Sequence, residues 1–362
     1  MSCGTCGFVY ADTSVKQEDY DIFYSKDSKY ESIATSTGAG VTIWDKDRLQ
    51  QTATQIAKVY LDKSARILDI GCANGGLLSA LKDIGFTNLV GLDPSPACVA
   101  YTSQTVGIQA YVGSLMSLGA DLGKFDVVIL SHVLEHVQNL DKAIIQMKGV
   151  LKPDGFIYIE VPDANRYQDY NFSPFQEFNT EHINHFSLTS LINLFRKNGF
   201  EPNHTGHRII YTGPDMPYPV VQAFFNFSDN IKPLSHDELL RINILKYIHD
   251  SQILINKVDE KIVEINNQYS AIIVWGTGQL TMKLLCDTSL KRSKILYFID
   301  ANPSTQGRQI SGIPIKKPSE INNPDTPILI SSILQKQSII ATIKQMKIRN
   351  KILSLDRETD EE

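Results

Sequence analysis

The residues best equipped for chemistry begin with a carboxylate ahead of a glycine turn. Between Arg66 and Gly76 an apolar, β-branched stretch ends at Asp69 and passes through Gly71, Cys72, Ala73 and Gly75 into a helix. Small side chains there let a ligand approach the backbone, and the helix beyond offers unpaired N–H groups. A turn that cradles a pyrophosphate works better without an anion in it, whereas a strand ending in Asp69 suits the ammonium of an amino-acid-like ligand. The next strand ends at Asp93, 24 residues on and followed by Pro94. An acid so placed can accept hydrogen bonds from both hydroxyls of a ribose. A third strand ends at Ser114 and Leu115, where an adenine ring would lie, Ser114 bonding its amine and Leu115 packing on its face. A fourth, Phe125 to Leu130, delivers Ser131, His132 and His136 to the carboxyl edge of the sheet, where open α/β sheets bind ligands.

A second group follows the fifth strand, in the run from Phe178 to Ser187. Histidine titrates in the range a general base needs, and a neighbouring carboxylate orients it or raises its basicity. Glu181, His182 and His185 are therefore the expected catalytic residues. A plainer reading stays open, in which the segment only leads into a helix capped by Ser187.

The elements that must position these groups alternate between strand and helix. Helices are expected at 50–61 and 76–84, and strands at 66–70, 89–92, 127–130 and 156–161. This alternation predicts an α/β fold with a doubly wound, mostly parallel sheet. Residues 1–44 are polar and tyrosine-rich (Tyr10, Tyr20, Tyr24, Tyr30), 45–165 carry the donor motifs, and 166–233 read as an acceptor-site insertion with loops. A long linking helix over 234–268 opens on the pair Ser235 and Glu238, spaced as a capping box. Its stripe of Leu245, Ile248, Ile255, Val258, Ile262 and Ile265 suits packing within the chain, although a homodimer contact stays open. A second, smaller Rossmann-like α/β domain is expected over 269–356, and an acidic tail over 357–362. In that domain Gly276 and Gly278 open a turn with Asp300 as its candidate ribose acid, but Thr281 stands where a third glycine would be.

Composition excludes several classes. Lys and Arg number 35 against 40 Asp and Glu, a net charge of -5, so no basic footprint for nucleic acid is expected. No apolar run is long enough to span a bilayer, and five cysteines without a paired framework suit a reducing, cytoplasmic setting.

Taken in order, the motif at Asp69 to Gly75, Asp93, the Leu134-Glu135-His136 run and the Leu151-to-Gly155 turn resemble the class I SAM-dependent methyltransferases over about 120 residues. The resemblance implies S-adenosylmethionine (SAM) as cofactor and a small-molecule methyl acceptor. Ser114 departs from the family, which usually carries Asp there. The wider layout resembles the sugar C-methyltransferases that act on nucleotide-linked deoxyketosugars. Glu181 and His182 match that family's Glu-His pair, whose histidine is thought to be the base, while Asn179 stands in place of its Tyr and Thr180 in place of its preceding His. This implies a nucleotide-sugar acceptor, with Asn179 and Arg308 touching it and carbon, oxygen and nitrogen all open as the methylated atom. Cys3 and Cys6 resemble half of the family's zinc module. A closed zinc site needs four ligands, so the pair reads first as a remnant with no bound metal, while a missing first half or a metal shared by two chains stays open. Two other readings stay open: a nicotinamide oxidoreductase using the C-terminal glycine turn, and a SAM-binding scaffold without activity.

Overall fold

The computed structural model describes residues 1–26, 38–118, 122–213 and 216–355. Tyr30, Pro214 and the acidic tail lie outside them. The chain forms two compact units, one of Met1–Tyr170 with Thr180–Ile244 and one of Asn171–Asn179 with Leu245–Glu362.

The first unit is built on seven strands: β1 (Arg66–Ile70), β2 (Asn88–Asp93), β3 (Gln109–Val112), β4 (Phe125–Ser131), β5 (Leu151–Pro162), β6 (Phe200–Tyr211) and β7 (Pro217–Phe227). Their order is β3-β2-β1-β4-β5-β7-β6. The first five are parallel, and β7 runs antiparallel to both its neighbours. Strand order reverses between β1 and β4, which opens a crevice at their carboxyl ends. Side chains alternate across the sheet. Leu68, Val128, Leu130, Ile157 and Ile159 enter one core with α5 (Leu140–Val150) and α6 (Leu188–Lys197). Ile67, Val127, Ile129 and Tyr158 enter the other with α2 (Ile43–Val59) and α3 (Gly76–Asp83). Both faces are covered, hence the continuous apolar runs.

Two expectations need correction, and one segment carries structure that its sequence does not announce. Residues 166–233 are not only insertion and loops, because β6 and β7 complete the sheet there. Their prolines mask them: Pro217 and Pro219 begin β7, and Pro202 lies at a bulge on the edge strand, positions where a missing N–H is tolerated. The N-terminal segment carries a helix, α1 (Gln17–Lys26), and its Val9–Tyr10 pairs with Asn184–His185. Finally, α7 (Glu238–Gln268) is not capped by Ser235, whose N–H donates to the Asn193 side chain. Asp237 accepts from Leu240 N–H at 3.1 Å and from the Ser187 hydroxyl, and its own N–H donates to the Cys6 carbonyl.

The second unit holds β8 (Ile272–Trp275), β9 (Ile295–Ile299), β10 (Gln309–Ile310), β11 (Ile313–Lys316), β12 (Ile328–Ile330) and β13 (Ile352–Ser354), in the order β10-β11-β9-β8-β12-β13. All pairs are parallel except β10 with β11. The α7 residues Ile255, Val258, Ile262 and Ile265 belong to its core. These four positions of the apolar stripe are therefore used within the chain, whereas Ile248 is half-buried and Leu245 is 53% exposed. Among the described residues, no helix is long and apolar enough to cross a membrane.

Candidate functional site

The glycine turn after β1 has the conformation its sequence demands. Gly71 and Gly75 both have φ 77, where a β-carbon is disfavoured. A methyl on Gly71 would lie 2.6 Å from Val133 Cγ2, and one on Gly75 2.8 Å from Thr102 Cγ2. Ala73, at φ 46, holds the same left-handed region without being glycine. Such strain persists where the surroundings impose it. Here Ala73 N–H donates to Asp93 Oδ2 at 2.8 Å, and its carbonyl accepts from the Thr102 hydroxyl.

Asp93 Oδ1 accepts from Ser95 N–H at 2.9 Å, so each oxygen has one backbone donor and one acceptor site left for a ribose hydroxyl. Pro94 bridges Asp93 to Ser95, which caps α4 (Pro96–Tyr101). Burial pushes the Asp93 carboxyl up to about 6, against these two N–H groups. Asp69 is 3% exposed, and burial, with Asp93 adding, pushes its carboxyl up to about 8. Two buried acids near the carboxyl ends of neighbouring parallel strands call for a cation. Asn74, overlooked in the sequence, is buried in the same turn with Oδ1 making no hydrogen bond. An open-backed turn, a ribose acid, a carboxylate short of positive charge and an unused amide oxygen fit a nucleoside that carries an amino-acid chain, such as SAM. Cys72 is buried with its thiol raised well above the ordinary range, as suits packing rather than nucleophilic work.

At the adenine end, the Ser114 hydroxyl donates to Asp21 Oδ2 of α1 at 3.4 Å, a partner no local spacing announces. Leu115 belongs to the apolar core of this unit.

The acceptor end gathers around the turn Leu134–His136 after β4. Ser131 donates to Glu160 at 3.2 Å. His132 has φ 57, and its Nδ1 lies 3.3 Å from Glu135 Oε1. Glu135, passed over in the sequence as a mere family marker, is 1% exposed, and its Oε2 makes no hydrogen bond. Burial works to raise its carboxyl, but His136, His132 and His182 hold it down at about 2. Burial also lowers the His136 imidazole below its ordinary value, against the pull of Glu135. His136 Nδ1 meets the Glu181 carbonyl at 2.9 Å, and its ring centroid is 5.0 Å from that of His182. Tyr24 of α1 donates to Glu181 Oε2 at 3.0 Å and sets its ring edge-on to His136.

Thus the structure brings His132, Glu135, His136, Glu181 and His182 together. It does not bring in the remaining expected residues. In the strand Asn184–His185, the Asn184 amide donates to the carbonyls of Leu134 and Val137. Alternation turns His185 the other way, buried against Tyr167, so its expected catalytic role is withdrawn. Asn179 falls in the second unit, where it donates to the Gln176 carbonyl. Arg308 is exposed on a turn of that unit.

Comparison with known proteins places these observations. A family model described as a methyltransferase domain matches residues 44–205, and one described as C2185-like, N-terminal matches 268–353. A probable S-adenosylmethionine-dependent methyltransferase of Mycolicibacterium smegmatis is 26% identical over 140 residues, 38% of this chain and 53% of that protein. The mitochondrial ubiquinone biosynthesis O-methyltransferase of Rattus norvegicus is 32% identical over 123 residues, 32% of this chain and 35% of its own. The chain thus spans about half or less of these relatives. Magnesium protoporphyrin IX methyltransferase from Synechocystis PCC 6803, solved with bound SAH, is 16% identical with a TM-score of 0.41, covering 60% of this chain and 90% of that one.

Proposed function

We propose, from the premise that residues 44–205 are a class I SAM-dependent methyltransferase domain, that this chain moves a methyl group from SAM to a polar small molecule. S-adenosylmethionine is the cofactor of such a domain. The observation that carries the reading is the buried pair Asp69 and Asp93 beside a turn whose glycines leave its backbone open. Asp69 answers the ammonium of the amino-acid end and Asp93 the ribose.

The sulfonium carries its own leaving group. Attack by the acceptor forms one bond to the methyl carbon, breaks the carbon–sulfur bond and releases S-adenosylhomocysteine. The chain's residues must align the acceptor and take its proton. His182 is the proposed base, with Glu181 beside it in sequence and Tyr24 holding the Glu181 carboxylate. The Glu181-His182 pair is what favours a nucleotide-linked sugar as acceptor.

Calorimetric titration with SAM and with NAD tests the first half. Saturable SAM binding is expected, and NAD binding without SAM binding overturns the reading. Labelled SAM incubated with a panel of sugar nucleotides tests the second. His182→Ala should lower kcat by about 10²–10⁴-fold, the usual weight of a general base, while leaving SAM affinity within about twofold.

A further inference from the structure

Glu135, His136 and His182 each offer a ligand atom, and these atoms all lie within 4.8 Å of one another. The donor end does not use them. We infer that this trio binds one divalent transition-metal ion, of the zinc or iron(II) class, through a Glu135 oxygen, His136 Nε2 and one imidazole nitrogen of His182.

The arrangement is built rather than incidental. Consecutive ligands Glu135 and His136 come from one tight turn, and the strand leading from His182 is clamped to it. Ile183 N–H donates to the Glu135 carbonyl at 2.9 Å, and the Asn184 amide grips Leu134 and Val137. A carbonyl can only accept, so His136 donates its Nδ1 hydrogen to Glu181, and Nε2 keeps its lone pair, 3.8 Å from Glu135 Oε1. Metal-binding histidines are oriented in this way by a backbone carbonyl. Glu135 Oε2 is buried without a donor, a costly state that a cation relieves. Two imidazoles with one carboxylate suit zinc or iron(II) better than calcium or magnesium. Metal–ligand bonds of about 2.0–2.2 Å require the donors to close up by roughly an ångström, within reach of a side-chain rotation.

Three protein ligands leave coordination positions for water or an acceptor oxygen, as in catalytic zinc sites. The inference deepens the proposed function and rests on it for what the ion would meet. With the ion bound, a coordinated acceptor hydroxyl would give up its proton to water more readily, and His182 would then serve as a ligand in place of the base role it has without metal. The competing arrangement is an ion pair of Glu135 with a protonated His132, which needs no metal.

The test uses the full chain with Cys3→Ser and Cys6→Ser, which removes the thiols as rival ligands. It is stripped with chelator and titrated with Co²⁺ while the visible bands of low-coordinate cobalt are followed. One equivalent should bind, and His182→Ala should weaken it by about 100-fold or more, on the scale of losses at metal sites. Glu135→Gln should do the same, with SAM calorimetry confirming that each variant is folded. Absence of the bands, or equal binding by the His182→Ala protein, overturns the inference. If stripped protein transfers methyl at the full rate, the catalytic role of the ion falls and the methyltransferase reading stands. If SAM does not bind, that reading fails whatever cobalt does.

Discussion

The two units carry the same device and differ in what closes it. After β1 the turn at Ala73 donates its N–H to Asp93, whose other oxygen takes the N–H two residues on. After β8 the turn at Thr277 donates its N–H to Asp300 at 3.0 Å, and the other oxygen takes the N–H of Asn302, again two residues on. In the second unit, however, the Thr277 hydroxyl also donates to Asp300, and the hydroxyls of Thr281 and Ser331 both fill the Gly276 carbonyl at 3.0 Å. The protein's own hydroxyls sit on the acceptors a ribose would want. The first turn has Ala73 where the second has Thr277, so no hydroxyl of the turn itself occupies Asp93. A strand, a turn and an acid 20 residues beyond its N–H donor in one unit and 23 in the other are therefore a shared framework, and the side chains in the turn decide whether it is open.

The comparison can be broken most sharply at the acids. Asp93→Ala removes two charge-assisted bonds to ribose, each worth about 1.5–3 kcal/mol, so SAM binding should weaken by about 10²–10⁴-fold. Asp300→Ala should leave SAM affinity unchanged in the same calorimetry, and a loss there would mean that the second turn also serves the cofactor. Next in size, Gly71→Ala meets Val133 and a disfavoured φ. It should destabilise the protein by about 1–3 kcal/mol, read from denaturant midpoints, and weaken SAM binding besides.

Titration separates the turns further. Asp69, with its carboxyl raised to about 8, favours the SAM-free fold only while protonated. That stabilising contribution is complete below the unfolded carboxyl value near 4 and is lost as pH rises towards 8. The SAM-free protein should therefore melt at lower temperature at pH 8 than at pH 6. SAM affinity should rise about tenfold or more over the same interval, with protons released on binding near pH 7 as the ammonium draws Asp69 into its charged form. Calorimetry in buffers of different ionisation enthalpy checks the release. The smallest effect belongs to Thr277→Ala, which should cost about 1 kcal/mol by losing one hydrogen bond. A detectable gain in adenosine affinity would show that this hydroxyl alone closes the turn.

What was readable in the sequence was what neighbouring residues determine. Asp69, the turn and Asp93 follow from strand spacing and from which positions tolerate only small side chains. Long-range partners were not readable. Nothing beside Ser114 announces Asp21, 93 residues away, and nothing beside Glu135 announces His182. His185 looked equivalent to His182 because both lie in one short motif, and only the pairing with Val9–Tyr10 shows which way it turns. The strands β6 and β7 were hidden because proline is read as a loop residue before its place on an edge or at a strand start is known.

Asp237 has a consequence for how this unit opens. Its side chain and N–H join the turn at Cys6, the start of α6 at Ser187 and the start of α7, while Gly7, at φ 80, packs directly on its backbone. Segments far apart in sequence thereby share one knot, and breaking it should release all of them in a single step. In native-state hydrogen exchange the amides of Asp237, Leu240 and Gly7 should open as one cooperative group with a common free energy, rather than fraying from the N-terminus inwards.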